Sequence, residues 1–213
     1  MSTAGVADLT ASYYWRLRGD ILDAVFPAGT PLKETTLAGH YGVSRTPIRE
    51  ALALLEHDGL IERVSRGFRV RRGSPQSVLE VYEARLALEP AVAAAAAQRR
   101  NDLDLAQLGR LQALAEQADA PAQWRRLQAH WHEHLWLAGH NAVMLSALTR
   151  MVAQLRLFDH GEPPPSGDYA ASNADHAVIL QAVQRQDADQ ARQAMAEHLT
   201  RSRQDRLAEM TQG

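Results

Sequence analysis

The nine residues Gly42-Val43-Ser44-Arg45-Thr46-Pro47-Ile48-Arg49-Glu50 constrain this chain more than any other stretch. A glycine supplies the backbone freedom that a tight turn between two helices requires. Ser44 stands where its hydroxyl can accept from the free N–H groups of a following helix. Pro47 falls in the first turn, where a missing N–H costs little. Arg45, Thr46 and Arg49 then crowd the helix start. Such a start is either the solvated tip of a helical hairpin or the end of a recognition helix that meets base edges and phosphates. The neighbouring sequence separates the two.

Residues 1–10 are small and polar and are expected to be loose. Over 12–26, Tyr14, Leu17, Ile21, Leu22 and Val25 recur at helical spacing. Pro27-Ala28-Gly29-Thr30-Pro31 breaks that helix. A second helix over 35–41 turns Leu37 and Ala38 inward, and a third over 44–57 carries Ile48, Ala51, Leu52 and Leu55 on one stripe. Asp58-Gly59 ends it. Two alternating runs, 60–64 and 68–71, flank Ser65-Arg66-Gly67, which is a hairpin signal. Three helices and a basic hairpin make a winged helix-turn-helix. In that fold the third helix enters the major groove of double-stranded DNA, and the wing tip approaches the backbone or the minor groove.

Charge agrees with this division. Residues 1–72 hold ten Lys/Arg against eight Asp/Glu, and residues 73–213 hold thirteen Arg against seventeen acids. A basic first part joined to an acidic second part fits a nucleic-acid reader attached to a sensing domain. The absence of cysteine excludes a disulfide framework and thiolate chemistry. No apolar run approaches ~18 residues, and nothing near the start resembles a signal peptide, so a cytoplasmic protein off the membrane is expected.

Gly73-Ser74-Pro75 reads as an interdomain joint, giving domains over 1–73 and 74–213. Helices are expected over 75–100, 102–117, 121–138, 142–158, 173–186 and 188–208, with Asn101 and Asn141 as caps and a proline-containing loop over 161–167. The expected fold class is therefore mainly α: a winged helix-turn-helix followed by an all-α, six-helix bundle.

The sequence resembles the GntR superfamily of bacterial transcription regulators, in the FadR-like branch with an FCD effector domain. Pro27-Ala28-Gly29-Thr30-Pro31-Leu32, Leu37-Ala38, the run from Gly42 to Leu52, Leu55-Glu56, Asp58-Gly59-Leu60-Ile61 and the wing Arg66-Gly67-Phe68-Arg69-Val70 carry the first half of the resemblance. Val81-Tyr82-Glu83-Ala84-Arg85-Leu86-Ala87-Leu88-Glu89-Pro90, Trp131-His132 with Asn141, Asp175-His176 and Glu197-His198 carry the second. The resemblance implies a homodimer that reads an inverted repeat. It assigns DNA contacts to Arg45 and Arg49, assisted by Ser44, Thr46, Arg66 and Gly67. An arginine fork suits guanine edges and phosphates alike.

Most of the nine histidines lie in the second half. A hairpin of the last two helices, turning near Asp187, leaves His176 eleven residues before the turn and His198 eleven after it. Facing helices can build a metal site in this way. On the 121–138 helix, spacing alone leaves His130 with His134 and Gln128 with His132 equally eligible; the resemblance selects His132. Imidazoles at 132, 176 and 198 suit zinc, nickel or a similar divalent transition metal. Gln128 stands where the family commonly supplies an Asp, and a neutral amide is the poorer ligand. Three hydrogen-bonded histidines lining a metal-free effector pocket are the plainer alternative. His130, His134 and His140 are expected at the surface. Arg85 resembles the family arginine that can face the cavity, which makes it the candidate partner of a small carboxylate effector, with Gln128 beside the histidines; its alternative is a surface ion pair with Glu89 or Glu83. A metal-dependent enzyme would need a general base beside the metal, and Glu133 points away from His132 on a helix.

Overall fold

The computed structural model describes residues 3–158 and 169–212. Their elements run α1 (Thr3–Leu22), β1 (Pro31–Leu32), α2 (Glu34–Tyr41), α3 (Arg45–His57), β2 (Ile61–Val64), β3 (Gly67–Val70), α4 (Pro75–Arg99), α5 (Asp102–Glu116), α6 (Pro121–Ala138), α7 (Ala142–Phe158), α8 (Tyr169–Gln184) and α9 (Ala188–Gln212). The fold is mainly α, a winged helix-turn-helix followed by a helical domain. Cα packing divides it into two compact units: residues up to Ser74 with the α7 segment from Arg150, and the remainder from Pro75.

The first unit is built on one apolar face of α3. Ile48, Ala51, Leu52 and Leu55 are fully buried at helical spacing. Leu17 and Ile21 of α1, Leu37 of α2, and Ile61, Phe68 and Val70 of the strands join the same core. Gly42 makes the helix-turn-helix turn in the left-handed region, at φ 68°. Val43 N–H then closes the turn on the Ala38 carbonyl. Ser44 holds the N-cap position of α3 with extended backbone, yet its hydroxyl makes no cap bond. Pro47 occupies the third helical position, and proline offers no N–H there for the cap to engage.

β2 and β3 pair antiparallel, with Val64 opposite Gly67, so the expected wing is present. A third strand, β1, pairs with β3 through Pro31–Arg69 and Leu32–Phe68. Two residues give no alternation, so this strand leaves no period in the sequence. α1 begins at Thr3, where a loose segment was expected, and it ends four residues early. Ala24 turns the chain at φ 58°, leaving Val25 beyond the helix and 57% exposed. Ala153 and Leu157 from the second half of α7 are buried in this first core, although the sequence places that helix with the bundle. Gln154 there donates to the Asp58 carbonyl at 3.2 Å.

In the second unit α4 packs along α9, α5 lies against α6 and α8, and α8 and α9 form the expected hairpin. Asp187 sits in the α8–α9 turn and accepts from Gln190 N–H at 3.0 Å. Asn101 and Asp104 form a capping box on α5, and Asn141 caps α7 through the N–H groups of Val143 and Met144. The alanine-rich centre of α4 buries Ala93, Ala96 and Ala97 with Trp131, Leu135, Ile179, Val183, Met195 and Leu199. Small side chains there let helices approach closely around the histidines described below. The loop expected over 161–167 lies outside the described residues.

Candidate metal centre and nucleic-acid interface

The first turn of α3 presents Ser44, Arg45, Thr46 and Arg49 outward, all exposed. Arg66 and Gly67 are exposed at the wing turn. Gly67 needs to be glycine: its φ is 114°, and a Cβ would stand 3.0 Å from the Leu32 carbonyl. The other wing arginines are paired, Arg63 with Glu56 and Arg69 with Glu62. Arg45 and Arg49 both meet one carboxylate, that of Glu34 at the start of α2.

The second unit brings His132 of α6, His176 of α8 and His198 of α9 together, all buried. Their Nε2 atoms converge: His198 Nε2 lies 3.2 Å from that of His176 and 3.3 Å from that of His132. One ring nitrogen from each can be chosen so that all lie within 4.8 Å of one another. The opposite nitrogens explain the orientation. His132 Nδ1 lies 2.8 Å from Glu89 Oε2, and His198 Nδ1 lies 3.2 Å from Asp175 Oδ2. A carboxylate at Nδ1 holds the proton there and leaves Nε2 as a bare lone pair. His176 stacks on Trp131 with ring centroids 4.0 Å apart, and its Nδ1 is buried without a hydrogen-bond partner.

Charge is set by the same neighbours. Burial pushes His132 down to about 4, against the pull of Glu89. Burial also takes His176 well below the ordinary histidine range, with His132, His198 and Arg85 adding to the effect. Burial resists ionisation of Glu89, but Arg85 and then His132 outweigh it and hold the carboxyl far below the usual range. Asp175 is likewise only partly opposed by burial and is lowered by His198 and Arg201. The result is neutral imidazole nitrogens at 132 and 176 facing a third ring in a buried site. That donor set fits a borderline divalent transition metal, for which imidazole is a good ligand.

Arg85 is not a surface residue. It and Glu89 are 8% and 0% exposed, and Arg85 Nε donates to Glu89 Oε1 at 2.5 Å. The ion pair expected at the surface is thus buried, because Glu89 also accepts from Trp136 Nε1 at 3.1 Å and serves His132. Gln128 is buried, and its amide donates to Asn173 Oδ1 at 2.7 Å. Asn173 also receives Trp124 Nε1. Glu89, Asp175 and Asn173 are the site residues that sequence reading passed over. The signal for Glu89 was an acid set among Leu88, Pro90, Ala91 and Val92, one turn after Arg85. His130 and His140 are exposed as expected, whereas His134, also expected at the surface, is half-buried.

A winged helix-turn-helix joined to a helical unit with a buried polar centre defines a DNA-binding regulator with a ligand-sensing domain. Residues 9–70 match the family described as "Bacterial regulatory proteins, gntR family", and residues 80–201 match the FCD domain. The chain belongs to this GntR family of transcription regulators, and its FCD domain is the effector-binding part. It is 32% identical to the HTH-type transcriptional repressor RspR of Escherichia coli (strain K12) over 196 residues, covering 87% of this chain and 83% of that one. Two solved structures share the fold. They are E. coli McbR/YncC (TM-score 0.77, 20% identity, 91% of this chain and 94% of that chain) and a putative GntR regulator from Rhodococcus sp. RHA1 (TM-score 0.75, 21% identity, 93% and 97%). The family assigns regulation of transcription, and the metal-dependent enzyme reading finds no support in it.

The buried neutral histidines set a pH dependence. His132 and His176 take up protons near pH 6.5 when unfolded, whereas native His132 remains neutral down to about 4. The unfolded state therefore binds more protons between those values, and stability falls as pH falls through that window. Urea unfolding of chelator-treated protein is expected to lose about 1.4 kcal/mol per pH unit for each such histidine between about pH 6 and 5. His132→Asn is expected to flatten the dependence, and an equally steep wild-type-like profile in that variant would show that His132 does not contribute.

Proposed function

We propose that this protein is a homodimeric, cytoplasmic repressor of a metabolic operon. Residues 1–73 read an inverted-repeat operator and residues 74–213 bind the effector and dimerise. The effector is a small organic acid, and it acts by shifting the balance between DNA-binding arrangements of the dimer. The convergence of three Nε2 atoms in the bundle carries this reading, because a ligand-responsive regulator needs a built ligand site.

In this reading His132, His176 and His198 hold one zinc or nickel ion, which when bound offers Lewis-acid affinity for a carboxylate. Glu89 and Asp175 keep the Nδ1 protons of His132 and His198 in place, so the ligand lone pairs stay directed inward. Arg85 and Gln128 are the polar side chains that complete recognition of the acid. Gln128, as an amide, leaves the metal with histidine ligands alone and adds no charge to the site. At the DNA, Arg45 and Arg49 contact base edges and phosphates, with Ser44, Thr46, Arg66 and Gly67 contributing along the backbone.

Elemental analysis of the purified protein tests the effector half. About one zinc or nickel per chain is expected after incubation and desalting, and His176→Ala is expected to lose it. Protein that retains no transition metal under these conditions would leave the histidines as a metal-free, hydrogen-bonded pocket lining.

A binding titration tests the DNA half. Arg45→Ala and Arg49→Ala are each expected to weaken binding to a selected inverted repeat by about 1–3 kcal/mol, with the melting temperature unchanged. Binding should also weaken steeply with salt. Wild-type affinity in both variants would refute the assignment of these arginines.

A further inference from the structure

Glu34 opens α2, the helix before the turn, and its carboxylate is engaged by both arginines assigned to DNA. Arg49 grips it side-on, with Nε 3.0 Å from Oε1 and Nη2 3.0 Å from Oε2. Arg45 Nη2 reaches the same Oε2 at 3.0 Å. The carboxylate lies beneath the two cations: its side chain is 23% exposed, against 58% and 60% for Arg45 and Arg49. Hydrogen bonds from Arg49 and then Arg45 hold its carboxyl down to about 2, so it is an anion wherever the duplex is intact.

We propose that Glu34 sets the sequence selectivity of the reading surface by fixing the Arg45 and Arg49 guanidiniums in one arrangement. The proposal rests on the reading that these arginines contact DNA. Its physical basis is twofold.

A guanidinium carries five N–H donors in a rigid fork. In the observed arrangement Arg49 commits one edge to Glu34 and Arg45 commits a single nitrogen, while both side chains stay more than half exposed. An unrestrained arginine samples many rotamers and can satisfy any phosphate. One held from beneath presents its fork in a fixed plane, which suits the paired acceptors of a guanine edge. Ordering these side chains before binding also removes part of the entropic cost of the specific complex.

Charge works in the same direction. Glu34 offsets one of two adjacent positive charges. That weakens sequence-independent attraction to phosphate, which scales with the number of cations brought to the backbone.

The test uses full-length protein and two duplexes: one carrying the inverted repeat that the wild-type protein selects from a random library, and one of random sequence. Dissociation constants are measured for each across a salt series. Glu34→Gln is expected to bind the random duplex as tightly as wild type or more tightly, with a log–log salt slope steeper by about one per protomer, or about two for the dimer. Its ratio of selected to random affinity is expected to fall at least about 10-fold. Glu34→Asp keeps the charge but withdraws the carboxylate by one methylene. It is expected to keep the wild-type slope and still lose selectivity, which separates positioning from charge. A Glu34→Gln ratio equal to or above that of wild type would overturn the proposal, since Glu34 would then only compete with DNA for the arginines. Arg49→Ala serves as the control: undiminished binding to the selected duplex in that variant would show that the arginine assignment itself had failed.

Discussion

Three buried imidazoles, with His198 Nε2 little more than 3 Å from the Nε2 atoms of both His132 and His176, are the constraint on which the second unit depends. Bare lone pairs at that spacing repel, and something outside the ring fixes two of the three. Glu89 does so for His132 and Asp175 for His198, each from the side opposite the cluster. Both acids are themselves held by arginine: Glu89 by Arg85, and Asp175 by Arg201. A buried carboxylate is costly unless paired, and Glu89, with no exposed surface, satisfies that condition through Arg85, His132 and Trp136. The polar centre is therefore a layered assembly in which the histidines are the innermost layer.

Helix geometry delivers those layers. The α8–α9 turn, closed by the Asp187 carboxylate and the left-handed Gln186, places His176 and His198 at one level. Trp131 and Leu135 anchor α6 in the same core, so the adjacent His132 is directed at the other two. Ala93, Ala96 and Ala97 keep α4 close enough for Glu89, a turn earlier, to reach across to α6. The unusual alanine content of α4 thus has a positional use as well as helix propensity.

Much of this is legible in the sequence alone. The apolar stripe of α3, the glycine turn, the wing, the Asn101 and Asn141 caps and the equal spacing of His176 and His198 from the turn all follow from local rules. What was not legible depends on tertiary pairing. β1 is too short to show alternation, and the second half of α7 looks like any amphipathic helix, yet it buries Ala153 and Leu157 in the first core. Ser44 occupies the cap position without a cap bond, and Pro47 removes one of the two N–H groups such a bond could use. Arg85 with Glu89 reads as a surface pair from spacing alone. Only the folded chain adds Trp136 and His132 to it and makes it internal. At the DNA face, the arginines were visible in sequence, but the carboxylate shared between them came from a different helix.

The proposed metal role rests on a preformed centre of His132, His176 and His198 in which His132 and His176 are neutral. Calorimetric titration of zinc into chelator-stripped protein at pH 7.5 tests it most directly, repeated in buffers of different ionisation enthalpy. One saturable site per chain is expected, with fewer than about one proton released per zinc, because His132 and His176 are already deprotonated. The absence of saturable binding, or unchanged binding in the His132→Ala and His176→Ala variants, would contradict it.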